Sequence, residues 1–124
     1  MFRRTLLKRL INIEERRFLD THKKSAAAFA ESKKVMHEGV PMSWMAKWPG
    51  AHPVFVQQAK GARFTDIDGN TYVDFCLGDT GSMTGHSPDA TVAAVREQVG
   101  KGITAMLPTE DAAIVSGLLR ERFG

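Results

Sequence analysis

Residues 78–86, GDTGSMTGH, place three glycines and three hydroxyls ahead of a histidine. Glycines let a loop turn its amides toward one point, and such a nest of N–H groups binds anions. The hydroxyls and His86 add donors and a base able to move a proton. The stretch matches neither the phosphate loop G-x-x-x-x-G-K-[ST] nor the dinucleotide fingerprint G-x-G-x-x-G. His86, between Gly85 and Ser87, is either such a base or a hydrogen-bond partner of nearby backbone. Cys76 is the sole cysteine, which excludes an internal disulfide and a multi-cysteine metal cage. Placed after a strand and beside Phe75, it reads as a buried, inert thiol. The serines lack a G-x-S-x-G elbow. Asp66, Asp68 and Asp74 read as turn acids on a solvated face, and His22, His37 and His52 have no partner at metal-ligand spacing.

These groups need a scaffold to hold them. PVFVQQAKGARFTDIDGNTYVDF, residues 53–75, predicts three strands: Val54 to Gln58, Ala62 to Ile67 and Thr71 to Phe75. Lys60-Gly61 forms the first turn, and Asp68-Gly69-Asn70 supplies the positive-φ residues of a tight hairpin. A three-stranded antiparallel meander needs a covering layer. Ser87 as N-cap, Pro88 in the first turn and Val92, Val95 and Val99 on one face predict a covering helix that ends at Gly100. Thr109 predicts the cap of another helix, whose stripe is Ile114, Val115, Leu118, Leu119 and Phe123.

Upstream, Arg3 to Glu38 contains neither proline nor glycine and predicts one or two amphipathic helices that end at Gly39. GVPMSWMAKWPGAHP, residues 39–53, then reads as an extended loop carrying Met42, Trp44, Met45 and Trp48, which either packs over the core or lines a pocket. The expected fold class is α+β: a helical arm over 1–39, a small-domain segment with meander and covering helix over 40–107, and a helix over 108–124 leading onward.

The chain has 124 residues with 43% apolar content, which suits a soluble globular domain. Its formal charge of +3 is uneven. Residues 1–34 hold 10 Lys and Arg against 4 acids, a net of +6, and the other 90 residues carry 7 bases and 10 acids, a net of −3. The basic character therefore belongs to the arm, where a targeting peptide, a membrane-surface helix and a nucleic-acid contact are the functional readings and a solvated helix face is the plain one. No apolar run reaches the length of a membrane span.

Taken in order, AKGARFTDIDGNTYVDF, Gly85-His86 with SPDATVAAV, and GITAMLPTEDAAIVSGLLRERF resemble the N-terminal part of class III, fold type I, pyridoxal-phosphate-dependent aminotransferases. The nearest branch is the glutamate-1-semialdehyde aminomutase-like one, and the resemblance extends from about Val40 to Phe123. It implies a pyridoxal phosphate cofactor held through a lysine Schiff base, an acid at the pyridine nitrogen and backbone amides at the phosphate. All three are expected in a large domain beyond this chain, since none of its lysines matches the catalytic position.

The resemblance also implies that the loop before Gly85-His86 forms the substrate side of the pocket, at Gly78, Asp79 and Thr80. An aromatic residue stands at the Asp79 position in the aminomutase branch. A carboxylate-gripping arginine stands there at the position of Met45, and a thioether cannot make that bidentate contact. A different amino acid or amine is therefore the expected donor, with Trp44, Met45 and Trp48 near the mouth. Implied partners are a small amino donor, a keto acceptor and a second copy in a homodimer, with neither nucleic acid nor membrane, in the cytoplasm. The chain alone is expected to be catalytically incomplete. The alternative is a non-enzymatic interaction module derived from such an enzyme.

Overall fold

A computed structural model describes residues 4–47 and 49–124. The chain forms two compact units, Met1–Pro88 and Asp89–Gly124. The first contains α1 (Arg4–Thr21), α2 (Lys23–Ser32), short 3-10 turns at His37–Gly39 and Ser43–Lys47, and strands β1 (Val56–Lys60), β2 (Arg63–Asp66) and β3 (Thr71–Val73). The second contains α3 (Asp89–Val99) and α4 (Glu110–Phe123). The α+β class and the meander are as expected.

The strands pair antiparallel in the order β1-β2-β3. Phe64 faces Tyr72 across β2 and β3, and their rings stack at 4.8 Å. Such cross-strand aromatic pairs help fix register. Lys60 belongs to β1 and pairs with Arg63, so the first turn is Gly61-Ala62 and not Lys60-Gly61. The second connection spans Ile67 to Asn70, four residues where a two-residue hairpin was expected. Asp66 makes the longer loop possible, because its Oδ1 accepts the amides of Asp68 and Asn70 at 2.9 and 2.8 Å.

The N-terminal helix breaks at His22, where φ is −126° and ψ is 40°. No local residue caps α2. Instead Asp68, from the hairpin tip, accepts the amides of Lys24 and Ser25 at 2.6 and 2.9 Å and the Ser25 hydroxyl at 2.7 Å. Ordinarily an N-cap acts from the residue just before the helix; here it acts from more than forty residues away. Gly39, expected to end the one or two N-terminal helices, lies seven residues past the end of α2. Its φ is +74°, and a Cβ there would come within 2.8 Å of the Phe29 ring. Close approach is thus its reason for being glycine. The loop expected to be extended contains the two 3-10 turns.

The first unit centres on polar groups. Asp66 and Ser25 are fully buried, His22 and His52 nearly so, and Val40 is the only buried apolar residue among the described ones. The acid read as solvated is therefore inside. Besides the two loop amides, Asp66 accepts from Asn70 Nδ2 at 3.0 Å and from the Tyr72 hydroxyl at 2.8 Å. His22 Nε2 stands 2.5 Å from that hydroxyl, while its Nδ1 donates to the Phe18 carbonyl at 2.8 Å. This network fastens the α1–α2 junction to the sheet. Buried polar groups of this kind are tolerated only when paired.

In the second unit, α3 starts at Asp89. Ser87 has a positive φ of 49° and therefore cannot be the extended N-cap expected of it. Thr109 does sit in the extended N-cap position of α4, although its side chain makes no capping hydrogen bond. Neither helix has a buried residue, and Ile114, Leu118 and Phe123 are all more than half exposed.

Candidate functional site

After β3 the backbone enters the left-handed region at four consecutive residues: Leu77 (φ 56°), Gly78 (55°), Asp79 (54°) and Thr80 (73°). That conformation costs an L-residue roughly 1–2 kcal/mol, more than it costs glycine. Leu77, Asp79 and the β-branched Thr80 must therefore be held in place by their surroundings. Strain of this kind concentrates where a loop has work to do.

Internal hydrogen bonds supply the restraint. Asp74 Oδ1 accepts the amides of Cys76 and Leu77 at 2.8 and 3.0 Å. The Asp79 amide donates to the Cys76 carbonyl, Gly81 to Gly78, Ser82 to Leu77 and Gly85 to Ser82, over 2.8–3.2 Å. A nest open to a phosphate needs free amides, and those of Asp79, Gly81, Ser82, Gly85 and His86 are spent in these bonds and in the one to Gly61. The anion-binding expectation thus fails for these five groups. What the turn offers outward is its exposed side chains, Asp79 and Thr80.

His86 is locked at both backbone and side chain. Its N–H donates to the Gly61 carbonyl at 2.8 Å, and its carbonyl accepts the Gly61 amide at 2.9 Å. The chain therefore returns to the β1–β2 turn. Gly85 enables the approach, since a Cβ there would lie 3.3 Å from Gly61 Cα. The ring bridges two residues: Nε2 is 2.6 Å from Asp74 Oδ2, and Nδ1 is 3.2 Å from Ser82 Oγ. The hydrogen bond from His86, helped by the Cys76 and Leu77 amides and opposed by burial, holds the Asp74 carboxyl below the usual carboxylate range. The sequence reading weighed His86 against backbone partners and missed Asp74 and Ser82. Cys76 is exposed, because β3 ends at Val73 and leaves the thiol in the loop.

Trp44 and Met45 lie elsewhere. They line an apolar groove of about 370 Å³ with Val40, Val54, Phe55 and Val56, and no titratable side chain borders it. Trp48, expected near the mouth, lies outside the described residues. The five predicted pocket residues thus fall into two groups, since Gly78, Asp79 and Thr80 do not line this groove.

Pyridoxal phosphate requires a lysine, an acid and free backbone donors at one place. Several lysines are engaged elsewhere: Lys34 and Lys101 pair with Glu31 and Glu97, Lys33 lies over the Phe29 ring, and Lys60 donates to the Ser87 carbonyl. With the Leu77 and Asp79 amides of the turn also engaged, these residues do not supply the cofactor's anchoring groups. Among the described residues no cluster of His, Cys, Asp and Glu could hold a metal, and no helix is long and apolar enough to cross a membrane.

No protein-family model matches the chain. Glutamate-1-semialdehyde 2,1-aminomutase 1 of Listeria monocytogenes is 37% identical over 105 residues, covering 84% of this chain and 24% of that protein. The crystal structure of a glutamate-1-semialdehyde aminomutase from Pseudomonas aeruginosa aligns with a TM-score of 0.87 and 47% identity, over 94% of this chain and 26% of its own. A variant of that protein has been solved in complex with PMP. A β-phenylalanine aminotransferase from Variovorax paradoxus aligns over the same shares with a TM-score of 0.81 and 26% identity. The chain spans about a quarter of the length of the relatives it matches.

Proposed function

We propose, from the premise that this chain is homologous to a quarter-length segment of the class III, aminomutase-like pyridoxal-phosphate aminotransferases, that it supplies the substrate-facing wall of a transaminase. The complete enzyme would move an amino group from an amino acid or amine to a keto acceptor. Pyridoxal phosphate, when bound, supplies the electron sink for that chemistry. This segment would orient the donor and exclude water beside it. The lysine and phosphate donors would come from other parts of the polypeptide.

The observation that carries this reading is the left-handed turn Leu77–Thr80, strained, braced by hydrogen bonds within the loop and displaying Asp79 and Thr80 to solvent. A carboxylate at that point attracts a cationic or hydrogen-bond-donating group on the donor and repels a second carboxylate. Trp44 and Met45 would add an apolar wall for an uncharged side chain. Residues 40–107 would then act as small-domain segment, 1–39 as a helical arm and 108–124 as the lead into the large domain. A homodimer in the cytoplasm suits the same reading. The interaction-module alternative is not favoured, because the 47% identity extends over 94% of the chain.

The experiment is a donor panel run on the full-length enzyme carrying this segment. Replacing Asp79 with Asn or Trp should change the ratio of kcat/KM between neutral and acidic donors by about tenfold or more. An unchanged panel for Asp79, Thr80 and Met45 variants would remove these residues from the substrate wall.

A further inference from the structure

We infer that Asp74, His86 and Ser82 form a latch that fixes the left-handed turn Leu77–Thr80, making His86 a positioning residue for the amino donor. The second half of this statement rests on the function proposed above; the latch itself rests on geometry alone. An ionised carboxylate only accepts hydrogen bonds, so His86 Nε2 carries a proton and donates to Asp74 Oδ2 at 2.6 Å. The other oxygen of Asp74 holds the amides of Cys76 and Leu77, the entry to the turn. At the exit, the Ser82 amide donates to the Leu77 carbonyl at 2.8 Å, while its hydroxyl lies 3.2 Å from His86 Nδ1. One imidazole therefore joins the residue that grips the start of the turn to the residue that closes it.

The ring and the serine also fill the space beneath the turn. A Cβ on Gly78 would meet Ser82 Oγ at 3.1 Å and His86 Cε1 at 3.9 Å, and Gly78 has a φ of +55°. The order Ser-His-Asp invites comparison with a nucleophilic triad. Here the same ring that meets Ser82 is tied to Asp74 and, through its backbone, to Gly61, and the Ser82 amide closes the turn, so the three residues are read as a restraint. The anchor is firm, because His86 is pinned to Gly61 by two backbone hydrogen bonds. Breaking the imidazole bridge frees the turn to leave its strained conformation, and the placement of Asp79 and Thr80 goes with it.

The test uses the full-length holoenzyme and variants H86A, H86Q and S82A, with hydrogen exchange and steady-state kinetics as readouts. In H86A, amide exchange at Asp79, Gly81 and Ser82 should accelerate about tenfold or more. KM for the amino donor should rise by about tenfold, with the bound-cofactor spectrum unchanged. H86Q, which keeps a donor toward Asp74, should recover part of both. S82A breaks only the Nδ1 side and gives the same pattern more weakly, which keeps the test open if H86A does not fold. Unchanged exchange in both H86A and S82A overturns the latch whatever the activity. Faster exchange with an unchanged KM overturns the positioning role. If wild-type enzyme transaminates nothing, the functional reading fails, and the exchange data still decide the latch.

Discussion

Asp66 accepts from four donors at once, two amides, the Asn70 side chain and the Tyr72 hydroxyl, and none of its surface reaches solvent. Burial pushes its carboxyl up, but the Asn70 and Tyr72 side chains and the loop amides outweigh that and leave it lowered. Asp68 and Asp74 are lowered too, Asp68 by Ser25 and the start of α2 against burial, Asp74 chiefly by His86. The folded state therefore prefers all three ionised. Stability from these groups is fully present above their unfolded pKa of about 4 and is lost as pH falls through the lower folded values. Tyr72 behaves oppositely. Burial and Asp66 push it up to about 12, so its contribution is intact below the unfolded value of 10 and is lost as pH rises toward 12. Thermal unfolding followed by circular dichroism should thus show Tm falling at both ends, and a Tm flat from pH 5 down to 2 would contradict the carboxylate network. From sequence, these acids were legible as turn formers and no more. Their partners His22, Ser25 and His86 lie 12 to 44 residues away, and spacing says nothing about contacts made through the fold.

At the scale of elements, the meander and α4 were readable because their signals are local. Alternating apolar residues, Gly69 with a φ of +95° and an extended Thr109 before Glu110 all act within a few residues. The break at His22 and the start of α2 were unreadable, since the cap comes from the hairpin tip. The run Leu77–Thr80 was hidden for a different reason. Leucine and threonine disfavour left-handed backbone, and the hydrogen bonds that hold them there come from Asp74 and from within the loop. Asp68 offers the test for this scale. D68A should leave α2 uncapped, speed amide exchange at Lys24 and Ser25 by about tenfold, and loosen the α1–α2 arm while β2–β3 stays protected. Equal protection in D68A and wild type would mean that α2 does not depend on the hairpin.

On the scale of the whole molecule, the described residues bury little apolar surface. Ile114, Leu118 and Phe123 on α4 are all more than half exposed, as are Val95 and Val99 on α3. Exposed apolar faces on this scale mark surfaces that other polypeptide covers. That fits a chain spanning about a quarter of its relatives' length. The family resemblance was legible from ordered motifs, Gly-His and the Pro-Thr-Glu helix start among them. The division of the pocket residues between groove and turn was not, because it depends on where the 3-10 turns carry Trp44 and Met45. The central claim is that this segment shapes the substrate wall while the cofactor is anchored by other polypeptide. A pyridoxal phosphate titration of the 124-residue chain, followed by aldimine absorbance, tests it most directly. The account predicts no saturable band beyond the slow, nonspecific reaction of surface lysines, and a one-to-one, saturating aldimine spectrum would contradict it.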